Sequence, residues 1–336
     1  MATEKDQKNR VMTRKITFFG AWNVRSCFRQ PKRQLIIQQL KQYKIQIGVL
    51  CETGMYDSGV SELADHTIIH SGLPSDEKTK RAHGMAVCLD QSAAKVWKAS
   101  GSAWEAVSSR ILTVRLGCKP INITVIAVYA PVNPANGQKS EVEASEDFYK
   151  CLQETIDKVQ KQDMVLVMGD FNARLGQQQN LTAGEVVGRH TVVENLNGEL
   201  LVDFCSINNM VVTNTFFEHK PVHQTSWMHP GTKEWHMLDY TLVNRKFRTS
   251  VHDVRAYRAA GGAIGTDHHL MRTKIRIHLK CRQKKKKNGR LKLDPKKLQN
   301  QSLTKCFEDE VEEKRKTEYS NDMSLDEKYA NFVKYV

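Results

Sequence analysis

No stretch of this 336-residue chain approaches the roughly 18 consecutive apolar residues that a membrane-spanning helix needs. The opening residues, MATEKDQKNRVMTRK, are polar and basic, with no apolar core of the kind a secretory leader carries. Cysteines stand at 27, 51, 88, 118, 151, 205, 281 and 306, and no two form a CxxC pair. That spacing excludes the usual zinc-ribbon and dithiol motifs. Cys51, Cys88 and Cys205 lie inside apolar runs, which reads as reduced, structural thiols in an intracellular protein with no zinc site. Acids are short as well. Asp plus Glu number 37 against 51 Lys plus Arg, a net charge of +14. The excess favours a polyanionic partner, such as nucleic acid or an anionic membrane face, and is silent on fold. Apolar residues make up 40% of the chain, enough for a core, and the length suits one large domain or two ordinary ones. No internal repeat is present.

What the chain does hold is a series of short apolar runs with helical patterns between them. Residues 1–15 read as a flexible basic lead-in. ITFFGAWNV (16–24), IQIGVLCET (45–53), HGMAVCL (83–89), SSRILTVRL (108–116), NITVIAVYAP (122–131), WHMLDYTLV (235–243) and HHLMRTKIRIHL (268–279) read as strands. QLIIQQLKQY (34–43), EDFYKCLQETIDKVQKQ (146–162) and NGELLVDFCSINN (197–209) read as helices, the last giving way to MVVTNTFF. The order mixes hairpin-like strand pairs with helices and departs from strict βαβ alternation. An α/β fold of two sheets packed face to face, with helices outside, fits it best. The composition changes at 281. CRQKKKKNGR has six basic residues and no acids, and 291–336 is highly charged with helical preference. Residues 16–280 therefore read as the folded domain, and 281–336 as a basic linker and charged helical tail.

Within the domain, VLVMGDFNARLG (165–176) poses a question: an apolar run stops at glycine and then offers Asp170 and Asn172. A turn accounts for these residue types. Alternation along an extended chain accounts for them differently, with both side chains on one side and Phe171 in the core. Other runs stop in the same way. Asn23 closes the first, Glu52 the second and Tyr129 a later one, Asp239 lies in LDY, and Thr266, Asp267 and His268 follow the glycine-rich AAGGAIG. Each has a plain explanation alone: a surface acid, a core tyrosine, an ion-pair partner, a helix cap. Six such positions in order favour a shared site.

WNV, ET, YAP, GDFN, LDY and TDH, in that order, resemble the endonuclease/exonuclease/phosphatase superfamily, which includes DNase I-like nucleases and apurinic endonucleases. AWNVRS, GDFNARLG, TSWMHP with WHMLDY, and GTDHH further resemble the endonuclease domain of non-LTR retrotransposon polyproteins and their craniofacial development protein 2-like host relatives. GRLKLDPKKLQ (289–299) resembles the start of the connector toward a reverse transcriptase, so the chain is expected to be the endonuclease plus a piece of that connector. The resemblance implies a DNase I-like four-layer α/β sandwich and Mg²⁺-dependent hydrolysis of DNA phosphodiesters to 3′-hydroxyl ends, with Mn²⁺ as a possible substitute. It implies DNA as partner, not a membrane, and a nuclear location.

By the same resemblance, Glu52 is the principal metal ligand, with Asn23 beside it and Asp267 as a second candidate. Asp170 orients or deprotonates the attacking water, Asn172 holds Asp170 and a phosphate oxygen, and Tyr129 donates to the phosphate. His268 binds the scissile phosphate, oriented by Asp239. Arg25 stands where repair enzymes carry an acid, which argues against abasic-site repair. Asn133, one place later than in relatives, and Ser226 are expected near the substrate strand, and target preference is expected in loops 72–83 and 215–232. Lys284–Lys287 reads either as solvated linker or as a phosphate-tracking or nuclear-targeting patch. The competing readings are a non-catalytic DNA- or chromatin-binding remnant, an abasic-site endonuclease and an inositol phosphate phosphatase.

Overall fold

A computed structural model describes residues 16–76, 83–132, 139–191, 194–262, 264–277, 299–318 and 323–329. Asn133, Lys284–Lys287, part of the 72–83 loop and the 1–15 lead-in lie outside them. Two compact units result, 1–279 and 280–336.

In the first unit, strand β1 (Thr17–Asn23) leads to helix α1 (Gln30–Gln42), then β2 (Ile47–Cys51), β3 (Ser58–Leu63), β4 (His66–Ser71) and β5 (Met85–Leu89). Helix α2 (Gln91–Ala99) follows, then β6 (Trp104–Ser108), β7 (Ile111–Leu116), β8 (Ile123–Tyr129), α3 (Lys139–Asp157) and β9 (Met164–Asp170). Next come α4 (Gln177–Thr182), α5 (Leu196–Ile207), β10 (Met210–Val212), β11 (Trp227–Met228), β12 (Trp235–His236), β13 (Asp239–Asn244), β14 (Val251–Tyr257) and β15 (Leu270–Ile275). One sheet runs β14-β15-β1-β2-β5-β4-β3, the other β10-β13-β9-β8-β7-β6, and β11 and β12 form a separate hairpin.

The two sheets pack face to face. Their inner faces share one apolar layer, with Phe19, Val49 and Val87 from the first sheet meeting Leu112, Val125 and Leu166 from the second. The outer face of the first sheet is covered by α1 through Ile36, Ile37 and Leu40. That of the second is covered by α3 and α5 through Phe148, Leu152, Leu201 and Phe204. This is the pair of packed sheets between helices expected from the order of runs, and the four-layer α/β sandwich that the resemblance implies. Each large side chain fully buried in these layers contributes about 1.5–3 kcal/mol. Trp22, Phe19, Phe171 and Tyr240 are among them.

The sheet pattern fixes where the site lies. β1–β2 and β8–β9 are parallel pairs, so the C-terminal ends of all four strands point to one edge of the sandwich. β15 and β13 run antiparallel to β1 and β9, so they present their N-terminal ends there. Asp239 and His268 therefore precede their apolar runs yet reach the same edge as Asn23, Glu52, Tyr129 and Asp170.

Several elements differ from the sequence expectation. The run 235–243 splits into β12 and β13, which belong to different sheets. The break is held by Ser226, whose hydroxyl oxygen accepts from the N–H groups of Leu238 (3.0 Å) and Asp239 (3.2 Å). Helix α3 ends at Asp157 rather than 162. Beyond it, Asp163 turns inward to take Arg115 (Nε to Oδ2, 2.6 Å) and Thr124 (2.9 Å). The described cysteines are free, five of them buried. No helix among the described residues is long and apolar enough to cross a membrane. The second unit contains helix α6 (Gln301–Glu318), an exposed, charged helix.

Candidate active site

Asn23, at the end of β1, joins the two sheets. Its side-chain N–H₂ donates to Glu52 Oε1 (2.7 Å) in its own sheet and to Asp170 Oδ2 (3.0 Å) in the other. Its carbonyl oxygen accepts the Arg25 backbone N–H (3.1 Å), which fixes the amide's orientation. Asn23 was expected among the metal ligands. Its nitrogen braces two carboxylates, and its oxygen accepts one backbone N–H with a second lone pair left over.

Glu52 follows β2 with φ 52°, a left-handed backbone that costs a non-glycine residue about 1–3 kcal/mol. Backbone hydrogen bonds from Ser26 to Glu52 and from Cys27 to Thr53 hold it. Arg25, Ser26 and Asn172 are left-handed too, so strain gathers at this edge. Tyr129 ends β8 opposite Asp170 in register. Burial, then the charges of Glu52 and Asp170, push its phenol far above the ordinary value, so it stays a proton-bearing donor. Arg110 supports it from behind, donating to its carbonyl (3.1 Å) with the guanidinium 4.9 Å from its ring centre.

Asp170 closes β9 and is fully buried. Burial, followed by the neighbouring Asp239, raises its carboxyl well above the usual range. The strand stops there. Asn172 has φ 46°, so the alternation argument fails at this residue, although Phe171 is buried as expected. Asn172 holds Asp170 through its backbone N–H (3.0 Å to Oδ1), while its side chain donates to the Ala130 carbonyl (3.0 Å). The strand carries the acid, and the turn that follows at Asn172 holds its carboxylate.

Asp239 begins β13 directly across from Asp170. Its Oδ2 meets His268 Nδ1 at 2.9 Å, and its Oδ1 is buried without a partner. His268 Nε2 stands 3.8 Å from Asp170 Oδ2. Burial pulls the imidazole pKa down, but Asp239 foremost, then Asp170 and Asp267, outweigh it and raise it to about 9. Thr266 locks the loop, donating to the Asn23 carbonyl (2.8 Å) and accepting from His268 N–H (3.2 Å). Asp267 faces the cleft, accepts from Trp227 Nε1 (3.3 Å) and lies 3.9 Å from Arg25.

These groups line a cleft of about 590 Å³ that also carries Arg174, Asn195, Trp227, His229 and His236. The structure thus gathers Arg25, Glu52, Tyr129, Asp170, Asn172, Asp267 and His268 on one wall system, with Asn23 and Asp239 directly behind. Ser226, expected near the substrate, is fully buried beneath the cleft and ties the start of β13 instead. Sequence reasoning missed the braces: Arg110, Trp227, Asn195 and Asn197. The last two donate to the Asn172 carbonyl, each at 3.2 Å. An asparagine opening a helix was their only visible signal.

Two carboxylate groupings could take a cation. Asp170, Asp239 and His268 offer ligand atoms within 4.8 Å of one another. An imidazole held protonated by Asp239 is a poor ligand, however. Glu52 and Asp267, facing the open cleft with oxygen donors, suit a hard divalent cation better.

A fold of two sheets between helices, with carboxylates, imidazole and phenol converging at one edge, defines a class of phosphoester-cleaving proteins. Residues 20–268 match the Endonuclease/Exonuclease/phosphatase family, and the chain belongs to it. Among curated relatives, craniofacial development protein 2 of Bos taurus and of Tragulus javanicus are each 29% identical over 262 residues. Those alignments cover 78% of this chain and about two-fifths of each relative (41% and 42%). Among solved structures, the endonuclease domain of TRAS1, a telomere-specific non-LTR retrotransposon, superposes with TM-score 0.54 at 12% identity, covering 78% of this chain and all of that one. The catalytic domain of Xenopus laevis APE2 gives 0.56 at 16%, covering 79% and 94%. The 3′ phosphatase NExo from Neisseria, bound to a product DNA hairpin, gives 0.57 at 12%, covering 77% and 99%. At these identities the structures speak for the fold.

Proposed function

We propose that the chain is a Mg²⁺-dependent DNA endonuclease, with Mn²⁺ as a substitute, that nicks strands to leave 3′-hydroxyl and 5′-phosphate ends in the manner of retrotransposon target nicking. The observation that carries this reading is the linked set Glu52–Asn23–Asp170 and Asp239–His268, which spans both sheets at the floor of one cleft.

Asp170, with its raised carboxyl, accepts a proton from water at a pKa suited to a general base. The water oxygen bonds to phosphorus as the bond to the 3′-oxygen breaks. Protonated His268 and the Tyr129 hydroxyl face the phosphoryl oxygens as charge gathers there. Asp239 keeps His268 oriented and charged. Glu52 and Asp267 would hold the divalent cation, which supplies charge neutralisation at the phosphoryl and leaving oxygens. Arg25, in place of an acid, presents a cation to the DNA backbone.

The runner-up is a non-catalytic DNA- or chromatin-binding protein, favoured by the net charge of +14. One side-by-side assay separates the readings: intact circular DNA, an oligonucleotide with a single abasic site, and inositol phosphates, each with Mg²⁺. We expect nicking of intact DNA. Cleavage confined to the abasic site, phosphate release from inositol phosphates, or DNA binding without turnover would each replace this reading with the corresponding alternative. We further propose nuclear import through Lys284–Lys287; a tagged chain lacking that run should lose nuclear accumulation, and unchanged distribution would refute it.

A further inference from the structure

Two arginines stand on the cleft wall, and the chemistry above uses one of them. Arg25 is partly neutralised by Asp267 at 3.9 Å. The Arg174 guanidinium makes no hydrogen bond or ion pair among the described residues. Its backbone, in contrast, is held from both sides. The Arg174 N–H donates to Asn195 Oδ1 (2.8 Å), and its carbonyl accepts from Asn195 N–H (3.2 Å). Gly198, in the first turn of α5, lets that carbonyl approach: a Cβ there would lie 2.0 Å from the Arg174 oxygen. A fixed backbone thus carries an uncommitted cation into the cleft.

The cleft needs one. Its lining holds the carboxylates of Glu52, Asp170, Glu234 and Asp267, with Asp239 directly behind, against the cations Arg25 and His268, so a polyanion meets net negative charge there. On the Arg174 side the surface continues into a small pocket that Arg174 lines with His236 and Tyr240, and neither Asp170 nor His268 lines that pocket. Glu234 lies 3.9 Å from His236 rather than on the guanidinium. Burial and then Arg174 lower the His236 pKa, so the imidazole beside Arg174 is neutral at neutral pH. A planar guanidinium on this wall matches a phosphate bidentately.

We propose that Arg174 binds a backbone phosphate adjacent to the scissile one, so that the site engages at least two successive phosphates of a nucleic-acid strand. The assignment rests on the nuclease reading. Binding of the full chain to a short fluorescent DNA duplex, measured in EDTA against salt concentration, tests it. Arg174→Gln should reduce the slope of log K against log salt by about 0.9, the value of one phosphate contact. In Mg²⁺ it should raise KM for nicking about 3–10-fold and change kcat less than about twofold, with Arg174→Lys restoring the slope. Lys98→Gln, on α2 at the opposite end of the sandwich, should leave the slope at the wild-type value. An unchanged slope in Arg174→Gln, or a loss confined to kcat, would overturn the assignment. A wild-type chain that neither binds nor nicks DNA would overturn the nuclease reading beneath it.

Discussion

At the residue scale, His268 sits between two carboxylates that decide whether it keeps its proton. Burial alone would lower its pKa; Asp239 is the main reason it rises to about 9. Asp239→Asn should therefore lower the His268 pKa from about 9, read by NMR titration of the imidazole. A raised pKa in the folded state means that His268 adds stability fully below its unfolded pKa and loses it as pH rises through about 9. The wild type should lose thermal stability between neutral pH and pH 9–10, and Asp239→Asn should show a flatter profile. Asp170 acts in the same sense at lower pH: stability is lost as pH rises from the unfolded carboxyl value through about 7, because its buried carboxylate is a cost once ionised. At pH 8, Asp170→Asn should raise Tm by about 2–4 °C, roughly 1 kcal/mol for a domain of this size, while nicking is lost. The acids at this edge were legible because each interrupts an apolar run. The left-handed backbone at Asn172 and the buried hydroxyl of Ser226 were not legible, because neither has a local signature.

At the scale of elements, the β8–β9 pairing places Tyr129 and Asp170 side by side. Gly169 makes that pairing possible: with φ 148°, a Cβ on it would lie 1.9 Å from the Val128 carbonyl oxygen. Gly169→Ala should cost about 3 kcal/mol or more and depress both Tm and nicking. Gly101→Ala, at φ 94° with nothing within 4 Å, carries backbone strain alone and should cost about 1 kcal/mol. Denaturant melts of the two variants give the comparison. The strongly apolar strands β1, β2, β8 and β9 were readable from the sequence, buried on both faces as they are. β3 was not, because SGVSEL offers no buried residue to the core. β14 was missed because its mixed, half-exposed residues include a register shift between Val251 and Asp253. α2 was missed because QSAAKVWKA is short, nine residues, with alanines at two of its four buried positions.

For the whole molecule, all three apolar clusters fall between Phe18 and Ile277. A chain ending at residue 279 should keep the unfolding midpoint of the first unit within about 2 °C. It should bind DNA more weakly and with a shallower salt dependence, having lost the six basic residues of 281–290. Calorimetry and binding titrations report the two effects separately. The layer order was legible because parallel pairs and hairpins leave different spacings between apolar runs. The convergence of six strand ends on one edge was legible only as a coincidence of residue types, since strand direction decides it.

The most direct measurement is nicking of supercoiled plasmid DNA by the wild-type chain with Mg²⁺ and with EDTA, alongside Asp170→Ala and Glu52→Gln. The account predicts relaxation that needs the cation, falls at least about 100-fold in each variant, and leaves ends that a DNA polymerase extends without prior processing. Nicking that persists in EDTA, or at wild-type rate in Asp170→Ala, would contradict it.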